Sequence, residues 1–127
     1  MNITVLVVDD SKLARIVAAR VLKQLKPGWE TVEASNADDA LDVVERQKVD
    51  VALLDFNMPG RDGLELAAEL RTRHPTMPIA VISANIQDEV IARARSVDAT
   101  FVAKPVTADT LGGFLSGAAL RLRRSVT

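Results

Sequence analysis

The sequence contains no cysteine and no tyrosine, and it has a single histidine, His74, and a single tryptophan, Trp29. Without cysteine there is no disulfide framework, no thiol nucleophile and no cysteine-ligated zinc or iron–sulfur site. One histidine excludes a multi-histidine metal site and a relay built on several histidines. Neither sign of charge dominates: 16 basic residues stand against 17 acidic ones, a net charge of −1. No global basic field therefore exists to attract nucleic acid. The longest early apolar run, Ile3 to Val8, breaks at Asp9; it is too short for a signal-peptide core or a bilayer span. Asn2 is not a glycine and no cysteine can be prenylated, so no lipid anchor is expected. The expected location is the cytoplasm, with neither membrane nor nucleic acid as partner.

With 127 residues, of which 48% are hydrophobic and 26% charged, the chain has the size and balance of one globular domain, residues 1–127. Such a chain can bury its own core without covalent staples. Short β-branched runs alternate with longer helical patterns. Ile3 to Val8, Glu30 to Ala34, Val49 with Val51 to Leu54, Ile79 to Ile82 and Thr100 to Ala103 read as strands. The nearly continuous apolar character of the best of them marks strands buried on both faces. Between them fall stripes at helical spacing. The first, from Ala14 to Leu25, has Ser11 as cap and Pro27-Gly28 as stop; the second starts after Ser35 or Asn36. A loop with Pro59, Gly60 and Gly63 leads to a helix bearing Leu66, Ala67 and Leu70. A fourth helix carries Val90, Ile91, Ala94 and Val97, and a fifth Leu111, Phe114, Leu115, Ala118 and Leu122. Five β–α units predict a doubly wound α/β fold, a five-stranded parallel sheet with helices on both faces.

In such sheets the chemistry collects beyond the carboxyl ends of the strands, where the strand order reverses. Strand one ends in Asp9-Asp10, strand three in Asp55, strand four in Ser83 and strand five in Lys104-Pro105. Three carboxylates gathered at one edge repel: at about 5 Å and an effective dielectric of about 20, each pair costs about 3 kcal/mol. The cluster must therefore take up protons or a cation, and an all-oxygen set favours a hard ion, Mg²⁺. Lys104 supplies a point positive charge for a phosphoryl oxygen, and Ser83 a hydroxyl donor. This set suits phosphoryl transfer, in which positioning and charge neutralisation do most of the work. Asp55, alone at its strand end beside a glycine-containing loop, is the favoured nucleophile, with the Asp9-Asp10 pair the alternative.

Asp9-Asp10-Ser11, the run from Leu53 to Gly63, Ser83-Ala84 and Lys104-Pro105 resemble the receiver domain of two-component response regulators, in order and over nearly the whole chain. The resemblance implies a flavodoxin-like (CheY-like) sheet of order 2-1-3-4-5. It also implies that Asp55 accepts a phosphoryl group from a histidine kinase, a histidine phosphotransfer protein or a small phosphodonor. On the same basis Mg²⁺ (or Mn²⁺) is held by Asp9, Asp10, Asp55 and the backbone carbonyl of Asn57, and Lys104 contacts the phosphoryl group. Ser83 and Phe101 then act as the switch, read by a target protein on the face of the fourth helix, fifth strand and fifth helix. A cis bond before Pro105 is implied as well.

The residues also depart from the best-known chemotaxis member, which has tyrosine where this chain has Phe101, and Phe101 has no hydroxyl to offer a target. The reading is a stand-alone phosphorylatable signalling module, not an enzyme, with chemotaxis among the pathways it could serve. Two alternatives stand beside it. One is a phosphate sink or scaffold without a downstream target. The other is a Mg²⁺-dependent aspartyl-phosphate hydrolase similar to haloacid dehalogenases, for which the expected Asp-x-Asp after the first strand and a cap are missing. His74 reads as a surface residue at a helix end, and Leu120 to Arg124 as a solvated helix end, where cations are favourable.

Overall fold

The computed structural model describes residues 2–126, with side chains described as far as Arg123. Five strands, β1 (Thr4–Val8), β2 (Glu30–Ala34), β3 (Val51–Asp55), β4 (Ile79–Ser83) and β5 (Thr100–Ala103), alternate with five helices. The helices are α1 (Lys12–Leu25), α2 (Ala37–Arg46), α3 (Gly63–Arg73), α4 (Asp88–Ser96) and α5 (Ala108–Val126). All strand pairings are parallel, in the order β2-β1-β3-β4-β5. This is the doubly wound arrangement expected from the sequence, and its order reverses between β1 and β3.

The two-residue period of a strand sorts the core into two layers. Leu6, Val8, Ala52, Leu54, Ile79 and Val81 pack with α2, α3 and α4 through Ala40, Leu66, Leu70 and Ala94. Their neighbours Val5, Val7, Val51, Leu53, Ala80 and Ile82 pack with α1 and α5 through Leu22, Leu111 and Leu115. β3 and β4 are buried at every position, so their apolar runs are continuous and not alternating.

Local chemistry sets the helix ends. Ser11 caps α1, accepting the Ala14 N–H at 3.2 Å, and Asn36, of the two candidates, caps α2 by accepting the Asp39 N–H at 2.8 Å. Gly63 lies in the first turn of α3 and not in the preceding loop, because Asp62 and Glu65 form a reciprocal capping box. Gly60, at φ 78°, makes the turn before it in a region that L side chains avoid. His74 is the C-cap of α3. Arg71 ties the ends of α3 and α4 together, donating to the carbonyls of Val97, His74, Pro75 and Asp98. Arg121 pairs with Asp98 at 3.2 Å, so this part of the α5 tail is anchored and not merely solvated.

Candidate functional site

Strand register assembles the site. Val8 pairs with Leu54, so the next residues, Asp9 just past β1 and Asp55 at the end of β3, stand side by side. Asp55 pairs with Ile82 and Ser83 with Ala103, which puts Ser83 and Lys104 at the same edge. One carboxylate oxygen from each of Asp9, Asp10 and Asp55 lies within 4.8 Å of the other two. Asp9 and Asp55 are buried, at 8% and 4% exposure, and Asp10 is exposed.

Lys104 Nζ stands 2.8 Å from Asp55 Oδ1. The contact is an ion pair outside hydrogen-bonding angles, so the buried Oδ1 has no hydrogen-bond partner among the described residues. Burial above all raises the Asp9 carboxyl from its ordinary 3.8; Asp55 and Asp10 add to the shift, while the Ser11 amide and Lys104 oppose it. For Lys104, burial is the largest single influence and pulls its ammonium down. The close contact with Asp55 and the charges of Asp55, Asp9 and Asp10 together outweigh it, and the net shift is upward from 10.5.

Lys104 thus contributes stability that is complete below 10.5 and lost as pH climbs through its raised folded value. Its side chain is 35% exposed, so solvent screens the pair. Lys104→Ala should cost about 1–2 kcal/mol at neutral pH. Urea unfolding of wild type and variant should converge at strongly alkaline pH; a gap independent of pH would refute this account.

The same strand period divides the remaining residues. Asp9 and Asp55 follow the register that faces α1 and α5, whereas Ser83 and Phe101 follow the one that faces α4. Ser83 is buried, at 1% exposure, and its Oγ accepts the Asn85 N–H at 2.9 Å. Phe101 is half-buried against the layer containing Val90 and Ala94. The Lys104–Pro105 peptide is cis.

Two supporting groups escaped the sequence reading. Arg15 donates from Nη1 to the Asp9 carbonyl at 2.7 Å and from Nε to Glu33 at 2.8 Å, bracing the turn that aims the acids. Glu33 is 18 residues away, so no local signal announced the pair. The loop after Asp55 is braced by Arg61, which meets Glu69 at 2.6 Å, and by the capping box. The Asp-x-x-Glu pattern at Asp62 and Glu65 was legible as a helix start.

The donor chemistry fits a hard divalent ion: three carboxylates in reach of one another, with no histidine or sulfur among them. Fold and site together define an α/β domain with an acidic pocket at its topological switch point. Comparison with known proteins makes this definite. The response regulator receiver domain matches over residues 5–115, and the chain belongs to that family. It is 42% identical over 117 residues to the positive alginate biosynthesis regulatory protein of Pseudomonas aeruginosa, covering 90% of this chain but 46% of that relative. It is 31% identical to sporulation initiation phosphotransferase F of Bacillus subtilis, covering 87% of this chain and 89% of the relative. Among solved structures, the chemotaxis protein CheY4 of Vibrio cholerae superposes with a TM-score of 0.84 at 27% identity, covering 93% of this chain and 99% of that one. The NtrX receiver domain of Brucella abortus superposes with a TM-score of 0.80 at 33% identity, covering 90% and 96%.

Proposed function

We propose that the protein is a response regulator that accepts a phosphoryl group on Asp55 and changes its protein-binding face as a result. The observation that carries this reading is the buried Asp55 carboxylate, paired with Lys104 at 2.8 Å and set among two further acids. An Asp55 carboxylate oxygen attacks phosphorus, and the donor's leaving group departs with the electron pair of the bond that breaks. Lys104 holds the transferred group by charge. Asp9, Asp10, Asp55 and the Asn57 carbonyl would hold Mg²⁺ or Mn²⁺, which supplies neutralisation of the charge that develops.

The aspartyl phosphate adds nearly two negative charges at a strand end. Ser83 leaves the Asn85 amide to meet a phosphoryl oxygen, and Phe101, on the same side of the sheet, moves inward beside α4. A target protein reads the result on the face of α4, β5 and α5. The donor is a histidine kinase or a histidine phosphotransfer protein, acting in the cytoplasm. A second reading, in which Asp55 passes the group on to another protein, draws support from the name of the Bacillus relative, a phosphotransferase.

Incubation with Mg²⁺ and acetyl phosphate should add one phosphoryl group to the wild type, seen by intact mass. Chelation with EDTA, or Asp55→Asn, should abolish it. Label persisting in Asp55→Asn would move the acceptor elsewhere.

A further inference from the structure

Asp9 and Asp10 are joined by a peptide that a third side chain holds in place. Arg15, in the first turn of α1, donates from Nη1 to the Asp9 carbonyl at 2.7 Å and from Nε to Glu33 at 2.8 Å. Glu33 belongs to β2, and the Arg15 side chain is only 16% exposed, so its guanidinium bridges β2, α1 and the end of β1. A peptide is planar, so fixing the direction of the Asp9 carbonyl fixes the plane from which the chain continues to Asp10. Asp9 has anchors of its own: its N–H donates to the Ala34 carbonyl at 3.2 Å, and its carboxylate accepts the Ser11 N–H at 2.9 Å. Asp10 has none. It lies outside every strand and helix, is exposed, and makes no hydrogen bond or ion pair among the described residues. Its place beside Asp9 and Asp55 therefore depends on the peptide that Arg15 grips.

We propose that Arg15, fixed by Glu33, is a positioning residue that makes the acid cluster prefer Mg²⁺ to the larger Ca²⁺. The inference rests on the metal-dependent phosphoacceptor reading above and adds ion selectivity to it. Mg²⁺ demands near-octahedral geometry at about 2.0–2.1 Å, whereas Ca²⁺ accepts flexible sets of oxygens at about 2.3–2.6 Å. A turn that holds Asp10 in one place favours the exacting ion, and a turn free to widen favours the tolerant one. Arg15 acts here by position and not by charge. Glu33 neutralises its guanidinium, and apart from burial the groups that shift the Asp9 carboxyl are Ser11, Asp55, Lys104 and Asp10.

Calorimetric titration of Mg²⁺ and of Ca²⁺ into the unphosphorylated protein, with no phosphodonor present, measures the two affinities. Removing a group that orients a metal ligand typically lowers affinity about 10–100-fold, and Arg15→Gln should fall near the lower end for Mg²⁺. Calcium affinity should change by no more than about twofold, because its ligand sphere adapts, so the Mg²⁺-to-Ca²⁺ ratio drops about fivefold. Arg15→Lys keeps the charge but loses the fork that reaches both partners, and its ratio should drop as far. Glu33→Gln leaves the Asp9 bond but weakens its anchor, so its ratio should drop part of the way. Glu33 is exposed, and this variant carries the test should the Arg15 variants fail to fold. Both ions carry two charges, so altered electrostatics or a loss of folded protein moves both affinities together and cancels in the ratio. A ratio unchanged in Glu33→Gln and in Arg15→Gln, or kept at the wild-type value by Arg15→Lys, would overturn the positioning role while leaving Asp55 as acceptor. A wild type that binds neither ion would overturn the metal-dependent reading, and this inference with it.

Discussion

Gly63→Ala should destabilise the protein by about 3 kcal/mol and slow phosphorylation of Asp55 by about a hundredfold. A Cβ at Gly63 would run into the carbonyl oxygen of Asp55, with the Asp55 carbonyl carbon at 2.9 Å and the Phe56 Cα at 3.0 Å. These are backbone atoms at the end of a fully buried strand, and no side chain can swing away to relieve the overlap. Overpacking of this kind typically costs about 1–3 kcal/mol, and backbone partners place it at the top of that range. The strain falls on the peptide that carries the candidate nucleophile. The Gly63 N–H also bonds the Phe56 carbonyl at 3.0 Å, so α3 and the end of β3 move together. A displacement near 1 Å at a reacting group can cost about a hundredfold in rate. Thermal unfolding should show a melting temperature lower by roughly 10 °C. A variant that melts like wild type and labels at the wild-type rate would show that the contact is relieved without moving Asp55.

Asp9→Asn should stabilise the metal-free protein by about 2 kcal/mol near neutral pH, an unusual sign for a change at a buried polar position. The buried Asp9 carboxylate stands within 4.8 Å of oxygens from Asp10 and Asp55, and each such pair costs about 3 kcal/mol in a medium of intermediate dielectric, partly offset by Lys104. Asparagine keeps the acceptor for the Ser11 N–H, which reaches Asp9 Oδ1 at 2.9 Å, and discards the charge. The folded-state pKa of Asp9 lies above its ordinary 3.8, so the folded state binds the extra proton. Its penalty is therefore complete above the raised folded value and disappears as pH falls below 3.8. The advantage of Asp9→Asn should shrink along that path. Saturating Mg²⁺ should reverse the order of the two proteins. Wild type gains about 2.7 kcal/mol at a hundredfold excess over its dissociation constant, and the variant, short of one ligand, gains much less. Urea unfolding with EDTA and with Mg²⁺ measures both halves; unfolding curves that fail to cross would count against a cation held by these acids.

The sheet's two-residue period assigns the two halves of the proposed switch to opposite layers. Chemistry at Asp9 and Asp55 faces α1 and α5, and the proposed response at Ser83 and Phe101 faces α4. Lys104 links the two at the sheet edge: its side chain meets Asp55, and its N–H donates to the Ser83 carbonyl at 3.0 Å. In the proposed switch, a charge added at Asp55 reaches the α4 side through Lys104 and through the Ser83 hydroxyl that meets the phosphoryl group, and Phe101 follows.

Much of this was legible in one dimension. Strand and helix identity follow from apolar periodicity, which depends only on neighbours along the chain; this is why the runs at Val51 to Leu54 and Ile79 to Ile82 were readable as strands buried on both faces. The acids at strand ends were readable because a parallel sheet brings its carboxyl termini to one edge. The sequence places Gly63 in the loop with Pro59 and Gly60, whereas the capping box of Asp62 and Glu65 starts α3 at Gly63. What needed three dimensions were the contacts with no sequence spacing of their own: Arg15 on the Asp9 carbonyl and Gly63 against the Asp55 backbone. The sequence by itself determined the elements and the chemical inventory at the sheet edge, because propensity and periodicity are local. Only the tertiary structure decided distance and burial, and those set which acid pairs with Lys104 and which peptide cannot spare room for one methyl group.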